Sequence, residues 1–310
     1  MSTTLDPDVA VATATAPALG ERIRRLWTYR NLLLNLTKRD LRIRYKESVL
    51  GFLWTLLNPL MFLVIFYIVF VIIVPQGIPN FVVFFLSGLL PWTMFQNSMM
   101  MTTNAVVGGA PLLKRVAFPR EVLPLSVIGA NIFTFALQMV VLLGVLLGMR
   151  YNFYSRYLLL VIPAFVVEVM LLVGFSLIFS SLTVYLRDIA HFMELATLFW
   201  FWITPVVYPV YLVYHRLSDH HISFNWVLLN PMVVPVLAFQ RAFYNRISPL
   251  SPTKNPQGKI TGYSPVHILH NWSMMWYLKN LGILAIVGVI LIWIGFSIFG
   301  KAEGNFAEEL

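Results

Sequence analysis

The chain has 310 residues, 59% of them hydrophobic and only 11% charged, with no cysteine and a formal net charge of +9. Soluble proteins carry about 25% charged residues, so this composition excludes an ordinary soluble domain and indicates a polytopic membrane protein. Without cysteine there is no disulfide, thiolate metal site or cysteine nucleophile; the bases gather beside apolar runs, where lipid headgroups and topology explain them better than nucleic acid does.

Residues 1–28 read as a disordered cytoplasmic tail, because 1–20 lack helical periodicity and lack the basic-then-apolar order of a secretion signal. Residues 29–47 predict an amphipathic interfacial helix. On a helical wheel Lys38, Arg39, Arg42 and Lys46 share one arc, and Tyr29, Leu32, Leu33, Leu36 and Ile43 another. Asp40 and Arg44 fall on the apolar side, where their acid-first i, i+4 spacing lets them neutralise each other. Such a helix lies in the headgroup layer with its basic face toward anionic lipid.

After Glu47 no charge appears until Lys114. Residues 48–300 predict six transmembrane helices, at 49–74, 81–107, 122–149, 157–186, 191–211 and 281–300. Pro59 bends the first; Gln96, Asn97, Ser98 and Thr102 make the lower half of the second polar, so it faces other helices or a cavity. Gly144-x-x-x-Gly148 in the third span is a weak packing signal. Glu168 in the fourth is expected to be neutral, or paired with a polar neighbour such as Gln138.

Residues 212–280 form a long loop with one apolar stretch, 226–239, interrupted by Pro231 and Pro235. That stretch is too short to span and suits a re-entrant or interfacial hairpin before the last span. Residues 301–310 are an acidic tail. Most of the 22 Lys and Arg fall on the inner side if both termini are cytoplasmic, as the positive-inside rule requires. The fold class is therefore an all-α membrane protein.

Four stretches carry a family resemblance: RDLRIRYKESVLGFLWTLLNPL (39–60), Arg187-Asp188-Ile189, ITPVVYP (203–209) and LNPMVVPVLAFQRAFYN (229–245). Together they resemble, in order, the ABC-2 type permeases that export O-antigen and teichoic acid. The loop at 248–279 has no match. The resemblance implies a homodimer, two copies of a separate ABC-type ATPase carrying ATP and Mg, a lipid-linked polysaccharide passing between the permeases, and a bacterial inner-membrane location. It also places a segment that docks on the ATPase at 110–120, where Leu112, Leu113, Val116 and Phe118 offer an apolar face and Lys114, Arg115 and Arg120 a charged rim.

No phosphate-cradling G-x-x-x-x-G-K-[ST] loop occurs, since Gly258-Lys259 is followed by Ile260. Nucleotide hydrolysis must then belong to a partner, and no cofactor is expected on this chain. A lipid-pyrophosphate headgroup needs cations, so Lys38, Arg39, Arg42 and Lys46 are its candidate entrance, with plain lipid anchoring as the alternative. Trp54, Trp92, Phe95, Trp200 and Trp202 are candidate channel aromatics, with packing the alternative. By the same family analogy Pro231 and Pro235 mark an external gate. No metal site is expected: His267 and His270 are spaced i, i+3, but Asp219 is the loop's lone carboxylate. A membrane-embedded enzyme or a proton-coupled transporter acting on lipid-linked sugars is the competing reading. Scattered acids, Asp188 and Glu194 being the nearest inner pair, and the isolation of Glu168 weigh against both.

Overall fold

The computed structural model describes residues 19–46, 51, 53–114, 116, 118–254 and 260–302. Its helices are α1 (Leu19–Thr28), α2 (Arg30–Tyr45), α3 (Leu53–Tyr67), α4 (Phe81–Thr103), α5 (Ala105–Gly108), α6 (Ala110–Leu113), α7 (Val122–Gly148), α8 (Val161–Tyr185), α9 (Asp188–Ile203), α10 (Val210–Asp219), α11 (Asn225–Leu228), α12 (Val233–Phe243) and α13 (Met274–Ala302). A π-helical turn, Ile68–Ile73, prolongs α3, and a 3-10 turn, Arg156–Leu160, leads into α8. Leu53–Ile73, Val122–Gly148, Arg156–Tyr185 and Met274–Ala302 are long and apolar enough to cross a membrane. The 23 residues of α4 reach about 35 Å, which matches a hydrocarbon core of roughly 30 Å. The architecture is that of an all-α, multi-pass membrane protein.

Side-chain bonds define the two ends of the bundle. At one, the Tyr185 hydroxyl donates to the Ala302 carbonyl at 3.0 Å, and Arg22 pairs with Glu121 at 2.7 Å. At the other, the Tyr244 hydroxyl donates to the Pro79 carbonyl at 2.9 Å and Tyr151 donates to the Tyr244 carbonyl at 2.6 Å. Burial pushes the Tyr151 hydroxyl up to about 12, against the nearby Arg246 guanidinium that lowers it.

Between these ends α8 and α13 touch almost backbone to backbone. A Cβ on Gly174 would stand 2.6 Å from that of Leu291, and one on Gly295 would stand 2.9 Å from the Gly174 carbonyl oxygen. Gly288 likewise faces Met170 at 3.0 Å. The Gly144-x-x-x-Gly148 pattern, by contrast, meets open space. Small residues draw helices together where a partner helix lies opposite, and here the partner lies opposite Gly174.

Prolines leave backbone carbonyls in the spans without their helical donor. Pro59 has no N–H for the Thr55 carbonyl one turn earlier, and Gln138 of α7 donates its amide there at 2.9 Å. Gln138 is therefore not a partner of Glu168, which is fully buried with neither carboxyl oxygen hydrogen-bonded.

The expected fifth span at 191–211 is not one helix. It ends at Ile203, is irregular from 204 to 209, and resumes as α10. Pro209 offers no N–H to the Pro205 carbonyl, and the Gln240 amide of α12 donates to it at 3.0 Å. Asn230 holds the same break, donating to Thr204 Oγ1 at 2.9 Å while accepting from Trp200 Nε1 at 2.6 Å. Every residue of α12 is buried, as irregular backbone at membrane depth requires of its surroundings.

Other boundaries also moved. Helix begins at Leu19, inside the expected tail, because Arg22 is buried against Glu121 and Arg25 donates to Glu21 at 2.9 Å. The last span starts at Met274 rather than 281. The unmatched loop holds an antiparallel hairpin, β1 (Leu250–Lys254) with β2 (Ile260–Pro265), Leu250 opposite Pro265.

Three substitutions test this packing through the thermal midpoint of the detergent-solubilised chain. Gly174→Val overpacks the α8–α13 contact at a cost of about 1–3 kcal/mol and lowers the midpoint, whereas Gly144→Val leaves it unchanged. Gln240→Leu removes the donor to Pro205 and costs a further roughly 1–3 kcal/mol; an unchanged midpoint would mean the break does not depend on Gln240.

Candidate functional site

The face of α2 that carries Asp40 and Arg44 lies against α7. Thr37 Oγ1 donates to the Ser126 carbonyl at 3.3 Å and sits over Gly129. Asp40 accepts from the Ser126 hydroxyl at 2.8 Å and from Arg39 at 2.8 Å. Arg44 donates to Asn131 Oδ1 at 3.1 Å and reaches Thr134 Oγ1 at 3.4 Å. These contacts advance in the same direction along both helices, so α2 runs beside the first turns of α7. The expected Asp40–Arg44 pairing gives way to these bonds, which satisfy both side chains from a neighbouring helix. Lys38, Arg39, Arg42 and Lys46 remain exposed on the opposite side.

In the 110–120 segment, Leu112, Leu113 and Phe118 turn inward onto Leu36, Val122 and Leu123. Val116 is 53% exposed and Lys114 is exposed, while Arg120 is half-buried. Arg115 lies outside the described residues. The segment ends at Glu121, whose carboxylate is buried against Arg22. The Arg22 guanidinium in turn lies where a Cβ of Gly300 would be. One ion pair thus joins α1, the start of α7 and the end of α13, and it passed unnoticed because Arg22 and Glu121 are distant in sequence.

The five aromatics divide. Trp92 and Phe95 are fully buried, their rings meeting Trp200 at 6.4 and 5.0 Å, with Phe201 and Phe175 alongside. Trp200 is half-buried and bonded to Asn230. Trp54 and Trp202 are exposed, on α3 and α9. Those two helices also expose their apolar residues: in α3 Pro59 alone is buried, and α9 leaves Phe192, Leu195, Phe199 and Ile203 uncovered.

Pro235 is buried within α12 and Pro231 is half-buried just before it, so the pair lies between the two clamp residues, Asn230 and Gln240. His267 and His270 take separate partners, Ser248 and the Tyr214 ring respectively. Gln240 and Asn230 were the polar residues to find here; their signal was an amide in an apolar stretch close to prolines.

Residues 31–244 match the ABC-2 type transporter family. Over 289 residues the chain is 32% identical to an O-antigen export system permease protein of Myxococcus xanthus, covering 93% of this chain and 98% of that protein. A Klebsiella pneumoniae protein of the same name is 30% identical over 284 residues, 90% of this chain and 95% of the relative. With an apolar bundle that crosses the membrane several times and a family match over most of its length, the chain is a transport permease belonging to the ABC-2 type transporter family.

Proposed function

We propose that the chain is the membrane subunit of an ATP-driven exporter that carries a lipid-linked polysaccharide, O-antigen-like or teichoic-acid-like, across the bacterial inner membrane. The observation that carries this reading is the similarity, across nearly the whole chain, to relatives named as O-antigen export permeases. Two copies assemble with two ATPase subunits that bind ATP and Mg, and both termini lie in the cytoplasm. The uncovered faces of α3 and α9 suit a path bounded by two permeases, with Trp54 and Trp202 presented to the sugar chain. Trp92 and Phe95 then act by packing α4 against α9.

The 110–120 segment receives the ATPase. Its inward leucines and the Arg22–Glu121 pair make it part of a unit with α1, α7 and α13, so a push on Lys114 moves helices rather than a free loop. The exposed basic arc of α2 draws in the pyrophosphate headgroup, while Arg44 and Asp40 hold that helix to α7.

The purified chain is expected to bring down an ABC-type ATPase and raise its turnover. Reversing Lys114 and Arg115 to Glu should weaken association about tenfold, equivalent to about 1.4 kcal/mol. An intact chain that binds no ATPase contradicts the proposal.

Arg39→Gln with Arg42→Gln separates the two roles of the basic arc. Headgroup capture predicts normal insertion with reduced export. Equal loss of inserted protein and of export would assign the arc to anchoring.

A further inference from the structure

At the end of the bundle away from Arg22 and Glu121, α10, α11 and the start of α13 border an open-sided cleft of about 360 Å³. This is toward the lower end of the usual range for small-ligand sites. Tyr214 and Phe224 line it, and the Trp272 and Trp276 rings contribute, stacked at 4.1 Å and 8° from parallel. Phe224 meets Trp272 at 5.2 Å. Ser218, Ser223 and Asn225 complete the lining with two hydroxyls and an amide, beside Ile222 and Leu228. None of the lining residues is charged. His270 backs the wall, 4.3 Å from the Tyr214 ring and 4.7 Å from Trp272, and burial lowers its pKa, so it is neutral as well.

This combination selects among the parts of the cargo. A pyrophosphate needs arginine or lysine, which the lining lacks. A lipid tail has no use for two hydroxyls and an amide, which would stay unsatisfied beside it. A pyranose ring has C–H faces that suit the electron-rich face of an aromatic ring, and edge hydroxyls that suit groups able both to donate and to accept.

We propose that this cleft is a subsite for neutral sugar residues of the exported chain, on the exit side of the permease. The proposal rests on the export reading above. It adds a site on this chain that lies apart from the exposed faces of α3 and α9.

The test uses the full-length chain in detergent and polysaccharide freed from its lipid by mild acid, taken from the producing strain, with dextran as control. Tryptophan fluorescence follows the titration. Binding is expected for the strain's polysaccharide, and Trp276→Ala should weaken it about three- to tenfold. Trp276→Phe keeps an aromatic face and should retain most of it. Should Trp276→Ala fail to fold, the exposed pair Ser223→Ala with Asn225→Ala gives the same readout. The subsite is overturned if these variants bind as the wild type does, or if only stability changes, which would make the tryptophans a membrane-interface anchor. It is also overturned if a chain that still associates with its ATPase binds no polysaccharide; the export reading then survives alone. A chain that binds no ATPase fails at the earlier step, so the two failures are distinguishable.

Discussion

Inside hydrocarbon no water replaces a missing backbone partner, so a helix that bends or stops there needs a side chain to complete it. The chain meets this need with amides. Gln138 bonds the Thr55 carbonyl opposite Pro59, Gln240 bonds the Pro205 carbonyl opposite Pro209, and Asn230 ties Thr204 to Trp200. Each amide comes from a different segment than the carbonyl or hydroxyl it serves. The two glutamine bonds that repair the backbone, together with the side-chain bonds of Asn230, therefore set the tertiary arrangement: α3 against α7, and α12 beneath the break after α9.

From that constraint follows a division of the molecule. The α8–α13 contact, closed by Gly174 and Gly295, and the wholly buried α12 form the packed part. The exposed apolar surfaces of α3 and α9 form the open part, left uncovered by the described residues. Pro59 in α3 and the break after α9 fall in helices that leave most of their apolar side chains uncovered, which is where a membrane subunit that opens and closes a path needs its freedom. The Arg22–Glu121 pair belongs to the packed part and places the 110–120 segment on it.

Much of this was legible from hydropathy and charge spacing: the apolar spans, a helix with one basic side before them, and a short apolar stretch at 226–239 ahead of the last span. What was not legible depended on partners distant in sequence. Asp40 and Arg44 satisfy a local pairing rule, yet the hydroxyl of Ser126 and the amide of Asn131 were better placed on α7. A glycine pattern at 144 and 148 was visible while the glycine that matters, Gly174, stood alone in its own helix and found its partners on α13. Of the candidate site, the basic arc could be read from spacing because one side of α2 is polar. Trp92 and Trp54 could not be told apart, because helices apolar all round show no buried face in sequence.

The central claim, that this permease moves polysaccharide outward, is tested most directly by where the polysaccharide resides in a strain deleted for this chain. Export through it predicts that surface polysaccharide falls to background while lipid-linked chains accumulate inside, and that restoring the chain reverses both. Undiminished surface polysaccharide in the deletion strain, with no lipid-linked material retained, would contradict it.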